Sequence, residues 1–271
     1  MKKFIKNSLV PCVADPILRK IKKFKNIHQG QECYIFGDGS SLKYFDLSLF
    51  SDKISIPVAY LPFHKDFHLL NVPYAFCIEP FWFYPFNKVT IPPYNWKVNE
   101  IQRLYHKVIK DRQDIQFFLN LSNWPTVREK NVTYIYNDWI DSELPMDHFS
   151  RKFNRYLGSL RGAISNAIYM GFTKIYLVGF DYTHRESRLY HWYEKGIGET
   201  RKFSNYEREF LSAAKNYAEI VTVTIDGNSE VLDSITYTEL TGVLPKFNDN
   251  DVLLPKETLG ILATWPDYHI F

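Results

Sequence analysis

Cys33-Tyr34-Ile35-Phe36-Gly37-Asp38-Gly39-Ser40-Ser41-Leu42 reads as a short apolar strand, a glycine turn and the start of a helix. Two glycines let the backbone turn sharply and come close to a ligand. The N–H groups and hydroxyls of Ser40 and Ser41, at a helix N-terminus, suit a phosphate or a ribose. A nucleotide-type ligand is the leading expectation, although an ordinary strand-to-helix turn has the same short pattern.

Outward from this turn, strand-like runs recur at Cys33–Phe36, Ile54–Tyr60, Tyr74–Ile78, Gln116–Leu121, Val132–Tyr136, Lys174–Gly179 and Ile220–Ile225. Several are continuously apolar, as strands buried on both faces are. Helical patterns fall between them at Val98–Lys110, Leu157–Met170 and Tyr206–Ala218. In the first, Ile101, Leu104, Val108 and Ile109 share a face. This alternation predicts an α/β fold, a Rossmann-like and mostly parallel open sheet with helices on both faces. Such sheets bind ligands beyond the carboxyl ends of their strands. Both the Gly37–Ser41 turn and the Gly179–His191 loop fall at such ends.

At 271 residues the chain can bury a sizeable core. We expect one catalytic domain over residues 29–240, a basic amphipathic extension over 1–28 and a C-terminal tail over 241–271. The tail has no clear period and reads as a wrapping segment or a partner contact. Aromatic residues make up 17% of the chain and cluster at Phe81-Trp82-Phe83-Tyr84-Pro85-Phe86, where rings fill cores, stack on sugars or bases, or sit at membrane interfaces.

The net charge of +3 argues against nucleic acid as a partner, but the charge is unevenly placed. Residues 1–29 carry eight basic side chains against Asp15 alone, a local +7 that leaves the remainder at −4. Asp15-Pro16 reads as an N-cap followed by proline at the first helical position. Ile17, Leu18, Ile21 and Phe24 then form a stripe among lysines. The stripe suits either an anionic membrane surface or the protein's own body. No apolar run approaches a transmembrane length, and Cys12, Cys33 and Cys77 are odd in number and far apart. A cytoplasmic location, peripheral on the inner face of the membrane, is expected.

The second constellation is Gly171–Asp181, where a helix ends at glycine, a buried strand follows and Asp181 arrives at the strand end. Asp181 there suits a metal, a ribose hydroxyl or the N–H groups of its own loop. The next loop holds Tyr182, Thr183, His184, Arg185, Glu186, Arg188, Tyr190, His191, Trp192, Tyr193 and Glu194, more titratable and aromatic side chains than solvation requires. His191 is the preferred general base and His184 the alternative, because neutral imidazole accepts a proton near pH 7.

Gly37-Asp38-Gly39-Ser40-Ser41-Leu42-Lys43, with Asp46 beyond it, resembles the G-N-G-P-S-L-K segment of the bacterial lipooligosaccharide sialyltransferases. Tyr169–Asp181 resembles that family's A-L-G-Y-K-E-I-Y-L-S-G-I-D segment, in similar order and separation. Archaeal-type hydroxymethylpterin diphosphokinases share both motifs. The sialyltransferase resemblance implies a Rossmann-like, GT-A-like transferase that uses a CMP-activated sugar, inverts the anomeric centre and needs no metal for chemistry. It implies donor contacts at Gly37, Gly39, Ser41 and Ser159, and phosphate-binding tyrosines near Tyr182 and Tyr190. Asp38 and Ser40 stand where the family has asparagine and proline, and Ala59-Tyr60 where it has a second-strand asparagine. No histidine lies between His191 and His269 to match the family's base.

These readings lead us to expect a glycosyltransferase acting on a surface polysaccharide (lipopolysaccharide or capsule) or a lipid-linked oligosaccharide, with homo-oligomerisation left open. Donor contacts are expected at Gly37, Asp38, Gly39, Ser40, Ser41, Ser159 and Asp181. Arg185, Arg188, Tyr182 and Tyr190 would steady the departing phosphate. The alternative is ATP-dependent pyrophosphate transfer with Mg²⁺ on Asp38 and Asp181. A non-catalytic nucleotide-binding scaffold of envelope assembly is a third reading.

Overall fold

The computed structural model describes residues 14, 16–79, 82–83, 95–135, 158–181, 187–188, 191–197, 200–201 and 205–263. In chain order they form β1 (Glu32–Phe36), β2 (Ser55–Pro57), β3 (Tyr74–Cys77), α1 (Asn95–Asp111), β4 (Gln116–Asn120), β5 (Val132–Ile135), α2 (Gly158–Met170) and β6 (Lys174–Val178). Then follow β7 (Ser187–Arg188), β8 (Thr200–Arg201), α3 (Asn205–Ala214), β9 (Glu219–Thr224), β10 (Asp233–Thr236), α4 (Tyr237–Thr241), α5 (Asn250–Leu253) and α6 (Lys256–Leu262).

Five strands form one parallel sheet in the order β10-β9-β6-β1-β2, and three form a second, β3-β4-β5. Parallel bridges Ile54↔Asn71 and Val58↔Phe76 join the two edge to edge. From β1 the chain steps outward through β2 to β5, returns to place β6 on the other side of β1, and continues outward through β9 and β10. The winding direction therefore reverses between β1 and β6. Open α/β sheets leave a crevice at such a reversal, outside the carboxyl ends of the two strands. The pair β7 and β8 is antiparallel and stands apart.

Alternation along β1 divides the interior. Tyr34 and Phe36 join the core on the α1 side with Ile101, Tyr105, Ile109, Ile261 and Leu262. Cys33 and Ile35 join the other core with Leu160, Ala163, Ile164 and Ala167 of α2 and Leu211 and Ala214 of α3. The two-faced α/β architecture expected from the strand and helix patterns is thus present. Stacked rings cross adjacent strands on both faces, Tyr34 on Tyr176 at 4.4 Å and Phe76 on Phe118 at 4.6 Å.

Local differences from expectation have physical causes. The run at 54–60 pairs regularly only over Ser55–Pro57, because Ala59 takes φ +49 and turns the chain out of the sheet. The segment after Gly39 is a 3-10 turn over Ser40–Tyr44 and not an α-helix start, since Phe45 is extended and Asp46 caps the next turn through the Ser48 N–H. The expected cap Asp15 lies outside the described residues. Beyond it Leu18, Ile21 and Phe24 are buried, with Phe24 edge-on to Phe118 at 5.1 Å, while Arg19, Lys20, Lys22, Lys23 and Lys25 are exposed. At the other terminus Leu253, Leu254, Ile261 and Leu262 belong to the α1-side core, and Lys246 and Asn248 donate N–H groups to the carbonyls of Tyr44 and Lys43.

Candidate functional site

Strands β1 and β6 end level, with Phe36 opposite Val178, so the loops that follow them meet at once. The Gly37 N–H donates to the Val178 carbonyl at 2.8 Å and the Gly39 N–H to the Gly179 carbonyl at 2.6 Å. A Cβ on Gly37 would stand 2.6 Å from the Gly179 oxygen. One on Gly39 would stand 2.3 Å from Asp181 Oδ2 and 2.5 Å from the Gly179 oxygen. Gly179 itself has φ +74 and lies against Leu42. The close approach that these glycines permit is therefore to the β6 loop. Asp181 accepts the Ser41 N–H at 2.8 Å, so it caps the β1 loop. Ser41 Oγ is buried and has no hydrogen-bond partner among the described residues.

Asp38 lies beneath this junction and is buried. Its Oδ2 accepts the Tyr60 N–H and its Oδ1 the Trp192 indole N–H, both at 3.2 Å. Ala59, left-handed at the end of β2, turns the Tyr60 amide toward Asp38. Burial pushes the Asp38 carboxyl up to about 6; His191 and the two N–H donors pull it down and Glu194 pushes it further up.

Main-chain contacts bring the 191–197 segment to the β1 loop, among them an antiparallel bridge between Gly39 and His191 and the Trp192 N–H donated to the Asp38 carbonyl at 3.0 Å. His191 Nδ1 lies 2.8 Å from Glu194 Oε1, and its ring stacks on Tyr193 at 4.8 Å. A carboxylate only accepts, so Nδ1 is the donor of this pair, and in the neutral imidazole Nε2 is then the acceptor nitrogen. The His191 side chain is 16% exposed, open enough to meet a ligand and held on two sides. Aromatic rings continue from it, with Tyr60 edge-on to Tyr193 at 5.3 Å and to Trp82 at 6.1 Å. His64 packs against Trp192 at 5.0 Å, and burial pulls it down to about 3, which keeps it neutral.

The structure thus gathers Gly37, Asp38, Gly39, Ser40, Ser41, Asp181 and His191 at one point. Ser159, half-buried in the first turn of α2, lies at the same edge of the sheet, because a crossover helix runs back antiparallel to the strands it connects. Tyr182, His184, Arg185 and Tyr190 lie outside the described residues. Arg188 lies in β7, and only its backbone is described. Among the described residues no cluster of three or more His, Cys, Asp or Glu side chains could hold a metal ion. Sequence reasoning did not assign Glu194 as the partner of His191, although His191-Trp192-Tyr193-Glu194 has the spacing of a single turn. It also gave no role to the Trp192 indole or the Tyr60 amide, whose contacts with Asp38 span 154 and 22 residues. No protein-family model matches the chain, and no curated protein does.

Proposed function

We propose that the chain is an inverting glycosyltransferase that takes a sugar from a CMP-linked donor and adds it to a cell-surface glycan or lipid-linked oligosaccharide. The observation that carries this reading is the His191–Glu194 pair, held against the loop that follows β1 at the carboxyl end of the sheet. An imidazole whose Nδ1 is held by a carboxylate presents Nε2 as a base. His191 would take the proton of the acceptor hydroxyl as its oxygen bonds to the anomeric carbon. The bond from that carbon to the nucleotide phosphate breaks, and the phosphate departs with the electron pair. One in-line displacement inverts the anomeric centre.

The donor would lie along Gly37–Ser41 and Ser159. Because the Gly39 and Ser41 N–H groups already serve the β6 loop, the Ser41 hydroxyl is the polar group of that loop best suited to a ligand. Arg185, Arg188, Tyr182 and Tyr190 would steady the leaving phosphate. Both Asp38 oxygens receive N–H donors and Asp181 Oδ2 receives another, which favours glycosyl transfer over pyrophosphate transfer, where these carboxylates would turn to Mg²⁺. The exposed Arg19, Lys20, Lys22, Lys23 and Lys25 suit an anionic lipid surface. No helix among the described residues is long and apolar enough to cross a membrane.

Calorimetric titration of CMP, UDP and ADP into the full chain tests the reading. Saturable CMP binding is expected. Tight ADP binding with none of CMP would replace it with the pyrophosphate-transfer reading, and binding without turnover of any donor would leave a scaffold.

A further inference from the structure

Lys43 is an unusual residue to find inside a protein. Its side chain is fully buried, at 0% exposure, where an ammonium group is costly unless its donors are satisfied. Three acceptors receive it, the carbonyls of Glu194 and Gly196 and Asp249 Oδ1 at 3.0 Å. Burial pulls the lysine down from its ordinary pKa, while Asp249, Glu194 and Asp251 hold the proton on it.

The acceptors come from two distant parts of the chain. Asp249 Oδ1 also accepts the Gly196 N–H at 3.1 Å and the Asn250 N–H at 2.8 Å, and the Asn250 side chain donates to the Tyr193 carbonyl at 3.2 Å. The backbone of Tyr193, Glu194 and Gly196 is therefore gripped from one side by the β1 loop and from the other by residues 249–250. The gripped residues include Glu194, whose carboxylate orients His191, and Tyr193, on which the imidazole stacks.

We propose that Lys43 and Asp249 are positioning residues that clasp the 193–196 segment and thereby set the His191–Glu194 pair, with the segment around Asp249 as an integral part of the site. As a claim about catalysis this rests on the transferase reading; as a claim about what holds the His191 segment it does not. An ion pair that served only overall stability would be blind to which segment it touched. This pair acts on main-chain groups within five residues of His191.

Amide hydrogen exchange on the full chain, comparing wild type with Lys43→Met, Asp249→Asn and the double variant, tests it. Methionine keeps the unbranched shape and removes the charge, and asparagine keeps the shape of the carboxylate. Exchange over 191–197 should quicken about 10- to 100-fold in each single variant, the change expected when hydrogen bonds to a charged group are lost. The double variant should be no faster than the worse single, because the two groups act as one unit. Peptides over β1 and β6 should keep wild-type rates. In transfer assays kcat should fall while nucleotide KM and Kd stay at wild-type values. Unchanged exchange over 191–197, acceleration spread evenly over β1 and β6, or strictly additive effects would each overturn the proposal. If Lys43→Met fails to fold, Asp249→Asn carries the same comparison. A wild type that transfers no sugar refutes the transferase reading and leaves the exchange result to decide the clasp.

Discussion

Replacing Gly39 by alanine puts a methyl group into the junction between the β1 and β6 loops. The backbone there has φ −64 and ψ 154, which alanine adopts without strain, so any effect comes from collision alone. The new Cβ would stand 2.3 Å from Asp181 Oδ2 and 2.5 Å from the Gly179 oxygen. Ordinary contact requires the loops to part by about 1 Å. Parting stretches the Gly39 N–H bond to Gly179 and the Ser41 N–H bond to Asp181. A hydrogen bond to a charged group is worth about 1.5–3 kcal/mol and overpacking costs about 1–3 kcal/mol. The variant should therefore lose about 3–5 kcal/mol in urea unfolding with an unchanged slope. Gly260→Ala, in the interior of α6 with nothing within 4 Å of the new Cβ, is the control and should gain about 0.5–1 kcal/mol. A Gly39→Ala variant within about 1 kcal/mol of wild type would refute the reasoning. The collision also means that lost nucleotide binding in a Gly39 variant would not by itself locate the ligand.

Asp38, at about 6 in the folded chain against an ordinary 3.8, holds its proton more tightly when folded. Its contribution to stability is greatest below about pH 4, declines by about 3 kcal/mol as pH rises to about 6 and is level above that. A carbon NMR titration of its carboxyl, with the Trp192 indole N–H following the same midpoint near 6, checks this; a midpoint in the ordinary carboxylate range contradicts it. His191→Ala should lower turnover about 10²–10⁴-fold with nucleotide affinity retained, and Glu194→Gln should lower it less by loosening the imidazole. Wild-type turnover in both variants would remove the pair from the mechanism. Exchanging Lys20, Lys22, Lys23 and Lys25 for glutamine should weaken sedimentation with phosphatidylserine vesicles by about 1 kcal/mol per charge at low salt. Equal sedimentation of the two proteins would leave these lysines as a solvated face.

The elements that the sequence disclosed best are those whose burial leaves a local mark. Parallel strands covered on both faces are largely continuous apolar runs, so the runs at Cys33–Phe36 and Lys174–Gly179 stand out unaided. Helix α1 is legible because Ile101, Leu104, Val108 and Ile109 fall on one face; Ile101 and Ile109 are buried there, Leu104 and Val108 partly so, and Tyr105 joins them. What no local pattern carries is adjacency. That β6 lies beside β1, across more than 130 residues, decides what Gly39 touches, and a reading of the hexapeptide alone assigns that closeness to a ligand. Likewise nothing local in Ser41-Leu42-Lys43-Tyr44 marks Lys43 as buried, because its partner Asp249 stands 206 residues away. The stripe Leu18, Ile21 and Phe24 suits a membrane or a core equally by periodicity, and only the presence of Phe118 and Tyr74 beneath it assigns it to the core.

The central claim, sugar transfer from a nucleotide donor with His191 as base, is tested most directly by product analysis. The full chain is incubated with CMP-, UDP- and GDP-sugars or ATP and an oligosaccharide acceptor, with and without EDTA, and the products are read by mass spectrometry. The account predicts CMP release and a glycosylated acceptor, insensitive to EDTA and lost in His191→Ala. AMP released from ATP only in the absence of EDTA, or transfer undiminished in His191→Ala, would contradict it.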